Sequence, residues 1–253
     1  MIRYRLTLVA LVVALIGIVG VSGQEAKKTP TNQPGTDLTI YSPKNHDLYD
    51  GRFVVSAGRV YMIGDLKPGK KEFDHIDNEA KNTRAVKGTF EIDVDEIKNT
   101  GQVTGKFEIP DGVLEVAFDE FKALGTPPAP CQDGGIAAFI FEHGDSGCGD
   151  KNWPKTLTYL AGWGTGHAKL NGKPLWDKQQ IHFMVTQGMR DRKSLKTSYP
   201  DIERPRKFKA GDVNPTMMQL DFWIRSPEVD AESKNSPPNK NFLHMFAMEV
   251  TWK

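Results

Sequence analysis

Apolar and polar positions alternate most regularly between Val86 and Ile109. Val86, Gly88, Phe90, Ile92 and Val94 interleave with Lys87, Thr89, Glu91 and Asp93, and Val103, Gly105, Phe107 and Ile109 with Thr104, Lys106 and Glu108. A period of two, with one apolar and one charged face, predicts a β-hairpin lying on a core and facing water. Its turn falls at Asn99-Thr100-Gly101. Leu114, Val116 and Phe118 extend it to a three-stranded meander. Further strands are expected at 38–41, 53–63, 136–141, 156–163, 165–170, 180–186, 217–225 and 242–252. Short helices are expected at most at 74–81 or 119–124.

Gly- and Pro-rich segments separate these runs. The stretch Gly125-Thr-Pro-Pro-Ala-Pro-Cys-Gln-Asp-Gly-Gly135 is loop and a candidate boundary between two sheets, and 187–215 and 226–241 read as long surface loops. Many short strands with such connections predict an all-β fold, an antiparallel β-sandwich or flattened barrel with long Pro/Gly-rich loops.

The amino terminus follows a different pattern. Arg3 and Arg5 precede an apolar run from Leu6 to Val21, and Val21-Ser22-Gly23 places small residues before a cleavage point. This is the order of a secretory signal peptide, and the run is short for a membrane span. The expected organisation is a signal peptide at 1–23, a polar leader at 24–36 and a single β domain at 37–253, secreted or periplasmic, with no stable membrane span after cleavage. Lys and Arg number 33 against 32 Asp and Glu. This balance gives no footprint for nucleic acid. Cys131 and Cys148 are the only cysteines, and in an exported chain an even pair reads as a disulfide.

Several residue groups are candidates for chemistry. Matching the apolar faces of 165–170 and 180–186 across a loop at Asn171-Gly172-Lys173-Pro174 places His167 opposite His182 or Met184, roughly 5–8 Å apart. Two imidazoles and a thioether suit copper, or zinc with further nitrogen or oxygen ligands. On the last strand, Phe246, Val250 and Trp252 are read as the core face, with His244 and Met248 beside them and Met245 opposite. Trp153 and Trp176 fall in predicted loops, and Trp223 points with Gln219, Asp221 and Arg225 away from an apolar set. Such tryptophans can stack sugar rings. The loop His143-Gly-Asp-Ser-Gly-Cys-Gly-Asp150, with Asp133 nearby, reads as a disulfide-tied turn before it reads as a Ca²⁺ loop or the setting of a serine nucleophile. Asp74-His75-Ile76-Asp77-Asn78-Glu79 reads as a solvated turn.

No specific catalytic motif is present. The leading expectation is an exported, non-catalytic β domain with a binding or structural role, its partner a small molecule, a glycan or a protein. The alternatives are a copper- or zinc-binding protein using His167, His182 and Met184, and a carbohydrate-binding or carbohydrate-active protein using Trp153, Trp176 and Trp223.

Overall fold

A computed structural model describes residues 51–66, 75–125, 128–150, 153–198, 215–229 and 242–253. The segments 1–23, 24–36 and 38–41, and most of the two long carboxy-terminal loops, lie outside the described residues.

Nine strands make one antiparallel sheet: β1 (Arg52–Ile63), β2 (Thr83–Asp95), β3 (Thr100–Ile109), β4 (Gly112–Phe121), β5 (Ile136–Glu142), β6 (Thr156–Leu170), β7 (Lys173–Gln187), β8 (Met218–Arg225) and β9 (Phe242–Trp252). The expected meander is β2–β3–β4. β1 pairs with both β2 and β9, and β4 pairs with β6, so eight strands close into a barrel, the closed form of the two expected architectures. Closure gives each of the eight barrel strands a neighbour on both sides, while β5 pairs with β6 alone.

β5 is the ninth strand. β4 pairs with Gly164–Leu170 of β6 and β5 with Thr156–Gly162, while the Lys122 amide donates to the Trp163 carbonyl between them. β4 and β5 therefore act as one strand interrupted by 122–135. The Pro/Gly-rich stretch is an excursion from a single sheet and divides no pair of sheets. Among the described residues there is no α-helix, and no helix long and apolar enough to cross a membrane. Residues 119–121 belong to β4, and 75–82 form turns.

Inward-facing side chains fill the barrel. Phe53, Phe90, Phe107, Phe139, Phe183 and Phe222 share one core with Val55, Ile92, Leu114, Leu220 and Met245. An eight-stranded barrel is just wide enough for side chains to fill, and these residues fill its interior. Three corrections to the expected faces follow. First, Leu243, Met245, Ala247 and Val250 of β9 join the interior, whereas Phe246 and Met248 pack with Ile63 outside it. Nearly every residue of β9 is buried, so hydropathy alone cannot tell its faces apart. Second, the runs 156–163 and 165–170 are one fifteen-residue strand.

Third, the β6–β7 turn is two residues, Asn171 and Gly172, with φ of 52° and 75°. Two positive φ angles are the signature of the tightest hairpin turn. β7 therefore starts at Lys173, and Trp176 lies within it, facing Ala168. Lys178, at φ 53°, marks a register shift that turns Trp176 into the barrel core. Trp176 is not an exposed loop platform.

Candidate functional site

The outer face of β5–β9 is covered by chain and encloses a cavity of about 590 Å³. Its floor is set by register. Trp163 of β6 lies opposite His182 of β7, His182 opposite Trp223 of β8, and Trp223 opposite His244 of β9. Side chains directly across a sheet stand together on one face, so four ring-bearing residues form one row.

β5 adds a carboxylate through a local irregularity. Phe139 has φ 55° and drops out of the ladder with β6, as does Tyr159 opposite it. Both rings enter the barrel core, with centroids 6.3 Å apart. This irregularity reverses the facing of β5 without changing its register to β6, so Ile140 packs outside with Trp163, and Glu142 reaches the cavity instead of the barrel interior.

His182 and His244 are held by the same construction. Nδ1–H of His182 donates to the Gly162 carbonyl at 2.9 Å, and Nε2 stands 3.3 Å from Glu142 Oε2. Nδ1–H of His244 donates to the His75 carbonyl, and Nε2 stands 3.5 Å from Asp221 Oδ1. A carbonyl can only accept, so each bond fixes both tautomer and ring orientation. Asp221 is held in turn by Gln219 Nε2 at 2.7 Å, and Gln219 Oε1 accepts the Met189 amide. All of these side chains are buried.

Two loops and a turn complete the walls. His143 and Trp153 come from the segment after β5, Leu124 and Gln132 from the excursion before it, and His75 from the β1–β2 connection. The Cys131–Cys148 disulfide, with Cα atoms 5.8 Å apart, joins the first two segments across β5 as the sequence suggested. Ser146 is buried, and its Oγ bonds the backbone of Cys148, so it is placed as a turn-former. The turn carrying His75 is closed by Asp77, which accepts from the Lys81 and Asn82 amides and the Thr83 hydroxyl. Arg190 pins it, donating to the Ile76 and Asp77 carbonyls while lying 4.5 Å over the Phe246 ring. Of the expected solvated turn at 74–79, residue 74 lies outside the described residues and 75–79 are partly buried, because they fold onto the outer face of β8 and β9.

Seven rings run in contact around the cavity, in the order Trp163, His182, Trp223, Phe242, His75, Trp153 and His143. Successive centroids are 4.7–5.5 Å apart. Glu142 links the last ring to the second, being adjacent to His143 in sequence and beside His182 in space. Among the described residues its Oε1 finds no hydrogen-bond partner, although the residue is only 1% exposed. His143 is also strained, with φ 64° and ψ 178°, a region that is almost exclusive to glycine. Burial pushes its imidazole below the ordinary histidine value; nearby Glu142 opposes this and His182 adds to it. Gly149 makes room for the ring: at φ +74°, a Cβ there would stand 2.7 Å from His143 Nδ1. At the rim, burial likewise lowers the Arg225 guanidinium, which donates to Gln180 Oε1.

Of the residues expected to bind, Trp153, Trp223 and His182 line this cavity. His167 does not: it lies four positions from Trp163 on β6, roughly 13 Å along the strand, and pairs with Asp119 at 2.6 Å. Met184 faces Ala161 and Asp221, one row from His182, and is buried. The register therefore does not assemble the cluster of His167, His182 and Met184. Among the described residues, no three His, Cys, Asp or Glu side chains are grouped to hold a metal ion. Sequence reasoning missed Glu142, His143 and His75 as partners in one site. The available signal was that His143, His182 and His244 lie on or beside segments too apolar or too Gly-rich to be simple surface; the polar run around His75 carried no such signal. No family model, curated protein or solved structure matches the chain.

Proposed function

We propose that this is an exported small-molecule-binding protein whose ligand sits on the outer face of the barrel, among the seven rings. The observation that carries this reading is the cavity itself. It falls within the usual size of ligand pockets, roughly 300–1,000 Å³, and combines apolar ring faces with a few oriented polar groups. A face needed only for packing would be filled with aliphatic side chains. Here, buried histidines are instead anchored by backbone carbonyls and set against carboxylates, an arrangement that holds a few polar atoms at fixed positions around a ligand. A glycan is the second reading, supported by Trp153 and Trp223 at the walls, since indole faces stack on sugar rings.

The test is a thermal-shift screen of the mature protein against small sugars, amines and neutral aromatics. The reading requires compounds that raise Tm in the wild type and not in Trp223→Ala. It fails if no compound does so, or if stabilisation is the same in the variant. Hits confined to sugars would select the glycan reading.

A further inference from the structure

We infer that the group embedded in this pocket is an organic cation, a quaternary or protonated amine, held by the π faces and by Glu142; the inference rests on the binding reading above. Ring faces carry the negative part of the aromatic quadrupole and attract cations, tryptophan most strongly. Three tryptophans and Phe242 contribute here, in a run of rings with centroids 4.7–5.5 Å apart.

The second observation is independent of the rings. Glu142 lines the cavity, is 1% exposed and leaves Oε1 without a partner. A buried carboxylate is retained where it is paired with opposite charge. Among the described residues, its neighbours do not supply a permanent one. His182 approaches only Oε2, and burial holds the adjacent His143 toward its neutral form. Arg225, the one arginine among the lining residues, is on β8 and engages Gln180. Asp150 adds a second carboxylate to the lining, and Asp221 stands behind His244. The charge arrangement therefore favours a ligand that brings a positive group toward Glu142.

Choline and its uncharged isostere 3,3-dimethylbutan-1-ol differ in charge but hardly in shape. Calorimetric titration of the disulfide-bonded protein, followed in parallel by tryptophan fluorescence, should show choline binding roughly tenfold or more tighter than the alcohol. Glu142→Gln should abolish that preference. Equal affinities in the wild type, a preference that survives Glu142→Gln, or no binding of choline would each overturn the inference. The wild-type comparison decides this even if the variant does not fold. Hits from the neutral part of the screen would leave the binding reading standing when the cation fails; no hits at all would remove both. Co-sedimentation with phosphatidylcholine vesicles, competed by choline, would assign the cation to a lipid headgroup. Choline binding without co-sedimentation would assign it to a free amine.

Discussion

The outer faces of β2–β4 and of β6–β9 stand on the same barrel core yet have opposite chemistry. Outside β2–β4, Lys87, Glu91, Asp93 and Lys106 are exposed, and ion pairs such as Lys106–Glu115, at 2.9 Å, lie in solvent. Outside β6–β9, polar residues of the same general kind are buried: Gln219, Asp221, His182 and His244 are each under 5% exposed. Strand structure is common to both faces, so it does not explain the difference. Covering segments do, by removing water from one face only. A polar group in water contributes little to stability, whereas one that is buried must be bonded, paired or left for a ligand. Among the described residues, Glu142 Oε1 and the His143 imidazole have no hydrogen-bond partner.

Removing the cover should have the largest effect on this contrast. Cys131→Ser with Cys148→Ser releases the two segments that wall the cavity. The chain-entropy model gives a loss of about 3 kcal/mol for a loop of this size, readable as a lower urea midpoint. Choline affinity should fall with it. Unchanged affinity would mean that the segments hold the pocket without the disulfide.

A smaller effect isolates the strain at His143. Alanine and glycine both delete the imidazole, but only alanine keeps a Cβ at φ 64°. His143→Gly should be more stable than His143→Ala by about 1 kcal/mol; the reverse order would dispose of the strain. The same residue sets a pH dependence. Its folded pKa lies below the ordinary value of 6.5, so the unfolded chain takes up the proton first. The wild type should hold its stability above about pH 6.5 and lose it as pH falls from there toward the lowered pKa. In His143→Gly that loss should be shallower, as measured by urea midpoints across the range.

The smallest effect is expected on the open face. Lys106→Ala should leave the midpoint unchanged within error, because both partners of its ion pair are solvated. A measurable loss would show that the two faces differ less than their burial implies.

This contrast also explains what could be read from the residues. The meander was legible at Val86–Ile109 because one face of each strand meets water, which writes a period of two into the chain. β5, β8 and β9 are buried almost throughout. Their hydropathy carries little phase information: of the three residues read as the core face of β9, Val250 and Trp252 pack on the barrel core and Phe246 does not. Trp223 was placed correctly because Gln219, Asp221 and Arg225 mark its face as polar. Trp176 was misplaced because a two-residue turn and a bulge at Lys178 changed its side.

The order of residues by itself determined the all-β class, the meander and the pairing of the only two cysteines, since these depend on local alternation or simple arithmetic. Tertiary structure alone decided the closure of β4 on β6, the outward turn of Glu142 after the unpaired Phe139 and the meeting of His75, His143, His182 and His244 around one cavity. Those contacts join positions up to 169 residues apart. Such distant contacts are set by strand register and loop coverage, and both follow from packing the whole chain at once.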